Sequence, residues 1–91
     1  MNYLIKYGLT NNDIEFLKKH YEDNFLSGII VKEKNVINII ELLKEKKFDV
    51  KYLLLNRLDI FLIDFNDLKN KMNRYTKEEI ESLREDFSIF C

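Results

Sequence analysis

One phrase occurs three times in this chain and constrains its fold more than any other feature. It runs apolar residue, capping residue, three positions, aliphatic residue, three positions, basic residue, one position, polar residue, apolar residue. The copies are Leu9, Thr10, Ile14, Lys18, His20 and Tyr21; Phe48, Asp49, Leu53, Arg57, Asp59 and Ile60; and Tyr75, Thr76, Ile80, Arg84, Asp86 and Phe87. A Thr or Asp at the second position offers an oxygen to the amides left unpaired at a helix start. The aliphatic residue then falls on the inward face, and the cation falls late, where the carbonyl end favours it. Each copy therefore encodes a capped helix held at both ends by apolar anchors. The copies start 39 and then 27 residues apart, so the units are not regular stacked repeats.

Breakers are too scarce for most other folds. There is no proline, and glycine occurs only at Gly8 and Gly28, whereas strand-rich folds need turn residues at every reversal. The expectation is an all-α chain, a small orthogonal or solenoid-like bundle of about five helices in one domain over residues 1–91. Thr10 starts the first helix, with Ile14, Leu17 and Tyr21 inward. Lys32 to Lys46 forms the longest, where Val36, Ile39, Ile40 and Leu43, widened by Ile37 and Leu42, suit a central helix touched on two sides. Asp49 caps a short helix, Asp64 another, and Thr76 with Glu79 forms a capping box for the last. Residues 1–7 read as a short helix or an extended lead-in ended by Gly8. Leu58, Ile60, Phe61, Leu62 and Ile63 read as a tight turn or short helical piece in the core. The run Ile29, Ile30, Val31 is a strand signal with no partner strand for its backbone groups, so it is taken as a packed linker. Phe90 is expected to close over the core.

From Val36 to Met72 the order is helix, Lys-rich turn, Phe48–Asp49, helix, Leu58–Asp59–Ile60–Phe61 and a helix capped by Asp64. This resembles the repeat of the mitochondrial transcription termination factor family, whose helical units stack into a nucleic-acid-binding solenoid. The resemblance covers two repeats and a fragment, and rests on spacing and apolar pattern. The family's proline after the short helix is absent, the matching positions being Asp59 and Asp86. Its glycine before the capped helix matches Gly8 alone, and Lys47 and Arg74 take the comparable places later. The resemblance implies a nucleic-acid-binding solenoid, a function that would rest on fold analogy.

Charge gives that implication limited support. Lys and Arg total 15 against 16 Asp and Glu, a net charge of −1, so no global field draws the chain to phosphate or to anionic lipid. Residues 44–74 nevertheless carry eight basic and five acidic side chains. Lys44, Lys47, Lys51, Arg57, Lys71 and Arg74 are therefore the candidate nucleic-acid contacts, with Lys46 and Lys69 in the same basic stretch. No apolar run approaches the ~20 residues that span a bilayer, and no long apolar stretch follows Lys6 as in a secretory leader. The single cysteine, Cys91, allows no internal disulfide, and the reducing cytoplasm is the expected compartment.

Catalytic chemistry finds no foothold. His20 is the only histidine, and with Glu22 and Asp23 it makes a poor zinc set because residues two apart on a helix do not face each other. Glu41 and Glu45 share a helix face with lysines nearby and read as solvated. Asp64 to Asp67 lacks the glycine of a calcium loop, and Tyr75 stands where its final acid belongs. No nucleophile has a base beside it, and two glycines make no phosphate loop. The expectation is a non-enzymatic module without a cofactor, binding a protein partner or itself. Its seven Phe and five Tyr exceed what so small a core covers completely, and tyrosine suits interfaces. Tyr21, Tyr52 and Tyr75 are the candidate interaction residues.

Overall fold

The computed structural model describes residues 2–85; Asp86, Phe87, Phe90 and Cys91, which figure in the expectations above, lie outside the described residues. Within them the chain forms six α-helices and two 3-10 helices and no strand. A 3-10 helix over Asn2–Tyr7 is followed by α1 (Asn11–His20), α2 (Asp23–Val31), α3 (Glu33–Glu45) and α4 (Val50–Asn56). A second 3-10 helix, Leu58–Leu62, leads to α5 (Phe65–Asn73) and α6 (Lys77–Glu85).

The repeated phrase is a helix-entry unit. Thr10 and Asp13 form a reciprocal capping box, with Thr10 N–H donating to Asp13 Oδ2 at 2.9 Å and Asp13 N–H to Thr10 Oγ1 at 3.2 Å. Thr76 and Glu79 repeat it at 3.0 and 3.2 Å. Asp49 accepts from Tyr52 N–H at 3.1 Å. The aliphatic position is buried in all three copies, as Ile14, Leu53 and Ile80. The apolar residue ahead of the cap is buried as Leu9 and Phe48 and half-buried as Tyr75.

The turn before the cap differs between copies. Gly8 has φ 99° and Lys47 φ 65°, both left-handed, whereas Arg74 is right-handed at φ −82°, ψ −15°. At Lys47 the bonds are those of a Schellman motif: Phe48 N–H donates to Leu43 O at 2.9 Å and Lys47 N–H to Lys44 O at 3.0 Å. At Gly8 the same pattern joins Leu9 to Leu4 and Gly8 to Ile5, at 3.4 and 3.3 Å. Two of the three copies thus share one turn, built once on glycine and once on lysine.

α3 is the central helix. It packs against α2, α4, α5 and the second 3-10 helix, and buries Val36, Ile39, Ile40, Leu42 and Leu43. The second 3-10 helix also touches α2 and α4 and sinks Leu58, Ile60 and Phe61 into the core. Phe61 is fully buried there, so its truncation to Ala costs about 3–5 kcal/mol. Asn35 on α3 fixes this segment. Its Nδ2 donates to Ile63 O at 2.8 Å and Phe61 O at 3.5 Å, and its Oδ1 accepts from Phe65 N–H at 2.8 Å. Buried apolar residues from Leu4 to Leu83 form one cluster. Among the described residues no polar or charged side chain is buried.

The linker expected at residues 29–31 is instead the last turn of α2, the sixth α-helix beyond the five expected. Tertiary packing overrides the β-branched preference. Ile29 is fully buried, and its carbonyl accepts a 2.6 Å hydrogen bond from Tyr3 Oη. Gly28 lies mid-helix where Leu62 comes close; a Cβ there would stand 3.0 Å from Leu62 Cδ2. The lead-in left open between helix and extended chain is the 3-10 helix that carries Tyr3.

Candidate interaction surface

α1 and α4 meet along a seam pinned at two levels. Lys51 Nζ on α4 lies 3.4 Å from Asp13 Oδ2 on α1. Tyr21, just past α1, donates from its hydroxyl to Leu55 O at 3.3 Å and accepts from Leu58 N–H at 3.4 Å. The Asp13 carboxyl is held below the usual carboxylate range, first by the Thr10 amide and further by the Lys51 ammonium. Hydrogen bonds and an opposite charge both favour the ionised form.

Those contacts decide which side chains flank the seam on its outer side. Successive helical residues turn by about 100°. Phe16 therefore sits outward of Asp13 on α1, on the flank that meets α4, and Tyr52 sits outward of Lys51. Both are open to solvent, Phe16 at 41% and Tyr52 at 58%. The His20 ring stacks on Phe16 with centroids 4.2 Å apart and planes tilted by 33°. On the same two helices stand charges of both signs: Lys19 three residues after Phe16, the Asp13–Lys51 pair at the seam, and, on another face of α1, Glu15 with Lys18 at 3.5 Å.

The three candidate tyrosines thus occupy three environments. Tyr52 is exposed on α4. Tyr21 is half-buried, its hydroxyl committed to the join between α4 and the second 3-10 helix, and Tyr75 is half-buried beside a cleft under α6. Phe16 went unremarked in the sequence, although it falls off the Ile14, Leu17, Tyr21 stripe; an aromatic outside its helix's apolar stripe is the signal for it.

The basic stretch is divided. Lys51 faces Asp13 at 3.4 Å, and Arg57 faces Asp59 through two contacts, Nε to Oδ1 and Nη2 to Oδ2, each 3.3 Å. Lys44, Lys47, Lys71 and Arg74 stand at the carboxyl ends of α3 and α5, where cations complement exposed carbonyls. Further exposed apolar side chains lie elsewhere, with Ile30 at 54% and Val31 at 81% closing α2, and Ile5 at 44%. Among the described residues no group of three or more His, Cys, Asp or Glu side chains is placed to hold a metal ion, and no helix is long and apolar enough to cross a membrane.

No protein-family model, no curated protein and no solved structure matches this chain.

Proposed function

We propose that this chain is a non-enzymatic protein-interaction module that pairs with a second copy of itself through the α1/α4 aromatic surface. The observation that carries the reading is that Phe16 and Tyr52 are both exposed on two helices that pack together, with charged residues of both signs on the same helices. Aromatic centres with a polar rim are the composition of protein interfaces. A second copy suits the rim because a twofold axis brings each surface against itself. A net charge of −1 offers little repulsion between copies.

The patch is small, so the dimer is weak, with a Kd on the order of 100 µM. Sedimentation equilibrium across that range should show a mass that rises with concentration. Tyr52→Lys should hold the protein monomeric while leaving its helical content and Tm unchanged. Self-association that Tyr52→Lys leaves intact contradicts the assignment of the surface.

The resemblance to the mitochondrial transcription termination factor repeat stands beside this as a proposal about architecture. It rests on the spacing and apolar pattern of Val36 to Met72.

A further inference from the structure

α2 has the least local support of any helix in the fold. Among the described residues it is the one α-helix with neither a capping side chain at its start nor a cation in its last turn. Its second half is Gly28, Ile29, Ile30 and Val31, and glycine and β-branched residues are poor helix formers. Contacts from elsewhere hold it. Leu62 packs over Gly28, and Ile29 is fully buried. From the first 3-10 helix, Tyr3 Oη donates to Ile29 O at 2.6 Å. That oxygen is one of the last four carbonyls of the helix, which have no partner inside it. Tyr3 is therefore a clasp on the carboxyl end of α2.

The same residues are suited to another conformation. Residues 24–31 are the longest run in the chain without a charged side chain. Phe25, Ile29, Ile30 and Val31 within it favour strands. A short uncharged segment of strand formers without proline is the signature of cross-β pairing. Charges bracket the run, with Glu22 and Asp23 before it and Lys32, Glu33 and Lys34 after, as gatekeeper residues bracket such segments. Ile30 and Val31 are already exposed in the folded chain.

We infer that residues 25–31 are a strand-forming segment clasped in helical form by Tyr3, and that opening of α2 lets the segment pair with its counterpart in a second copy of the chain. An extended segment needs partners for its backbone groups, and the described residues contain no strand to supply them. Another copy of the same segment supplies both the backbone pairing and matching side chains in register. This state is separate from the α1/α4 surface, where the helices stay folded, and does not depend on pairing there.

The test follows the full chain, incubated with agitation below its Tm, by thioflavin T fluorescence and far-UV circular dichroism. Tyr3→Phe should raise the opened population about tenfold, the size of one net hydrogen bond, and shorten the lag before strand-rich assembly. Asp49→Ala is the matched control. It removes the cap of α4 at comparable cost in stability and should leave the lag near that of wild type. Val31→Lys changes an exposed position and places a charge in the segment; combined with Tyr3→Phe it should abolish assembly. Tyr52→Lys should have no effect. Hydrogen exchange on the assemblies should find protected amides over residues 25–31. The proposal is overturned if Tyr3→Phe forms no strand-rich assembly, or if Asp49→Ala hastens assembly equally. It is also overturned if Val31→Lys does not slow the Tyr3→Phe protein, or if the protected amides lie in another segment such as residues 35–40.

Discussion

Replacing Lys47 by glycine should make the protein more stable, against the usual direction of a core-proximal substitution to glycine. Lys47 sits at φ 65°, and a left-handed backbone costs a residue with a Cβ about 1.5 kcal/mol. Glycine removes that strain but has more freedom to lose on folding, which returns about 0.7 kcal/mol. Loss of one cation from the carboxyl end of α3 returns about 0.3 kcal/mol more, with Lys44 and Lys46 remaining nearby. The net gain is about 0.5 kcal/mol, or about 2–4 °C in Tm for a chain of this size. Thermal unfolding followed by far-UV circular dichroism measures it. High salt should enlarge the gain slightly by screening the helix-end interaction. Gly8→Ala is the matched control. Gly8 has φ 99°, and a Cβ there meets nothing within 4 Å, so the cost, about 0.8 kcal/mol, is the same backbone strain less the same chain-entropy gain, with no steric clash added. The reasoning is refuted if Lys47→Gly lowers Tm, or if Gly8→Ala is neutral.

Three further outcomes follow from named contacts. Tyr3→Phe removes the 2.6 Å hydrogen bond to Ile29 O and should cost about 1–2 kcal/mol in chemical denaturation. Burial, aided by Glu33, raises the Tyr3 phenol above its ordinary pKa of 10.0; this support is complete below that value and is lost as pH climbs past it, so wild type should lose more stability than Tyr3→Phe in strong alkali. Asn35→Ala deletes three bonds to the segment before α5 and should cost about 2–3 kcal/mol, with amide exchange accelerated first around Phe61 to Phe65. The depressed Asp13 carboxyl stabilises the fold above the ordinary carboxylate pKa and loses that effect as pH falls through its lowered folded value. Asp13→Asn should therefore flatten the acid limb of a stability–pH profile, and an unchanged limb would assign the acid sensitivity elsewhere.

Local signals carried most of the architecture. Caps at Thr10, Asp49, Asp64 and Thr76 and the stripe of α3 are visible because each depends on neighbours within a turn or two. α2 escaped because its strongest local signal, Ile29 to Val31, points to a strand, while the contacts that make it a helix come from Leu62 and Tyr3. The proposed interaction surface was legible in part. Tyr52 stood out by type, whereas the half-buried state of Tyr21 depends on Leu55 and Leu58, far away in the chain. The pairing of Lys51 with Asp13 is likewise long-range, and no helical period reveals it. The turn at Lys47 was half legible: its correspondence to Gly8 is a matter of alignment, but the left-handed backbone appears only in three dimensions.

The most direct test of the central proposal is a dilution series of amide NMR spectra on the full chain. If α1 and α4 form the contact between copies, the signals that shift with concentration will cluster on the outer residues of Asn11–His20 and Val50–Asn56. Phe16, His20 and Tyr52 should move most, and Tyr52→Lys should abolish the shifts. Spectra that do not change with concentration, or shifts confined to the end of α2 around Ile30 and Val31, would contradict the account.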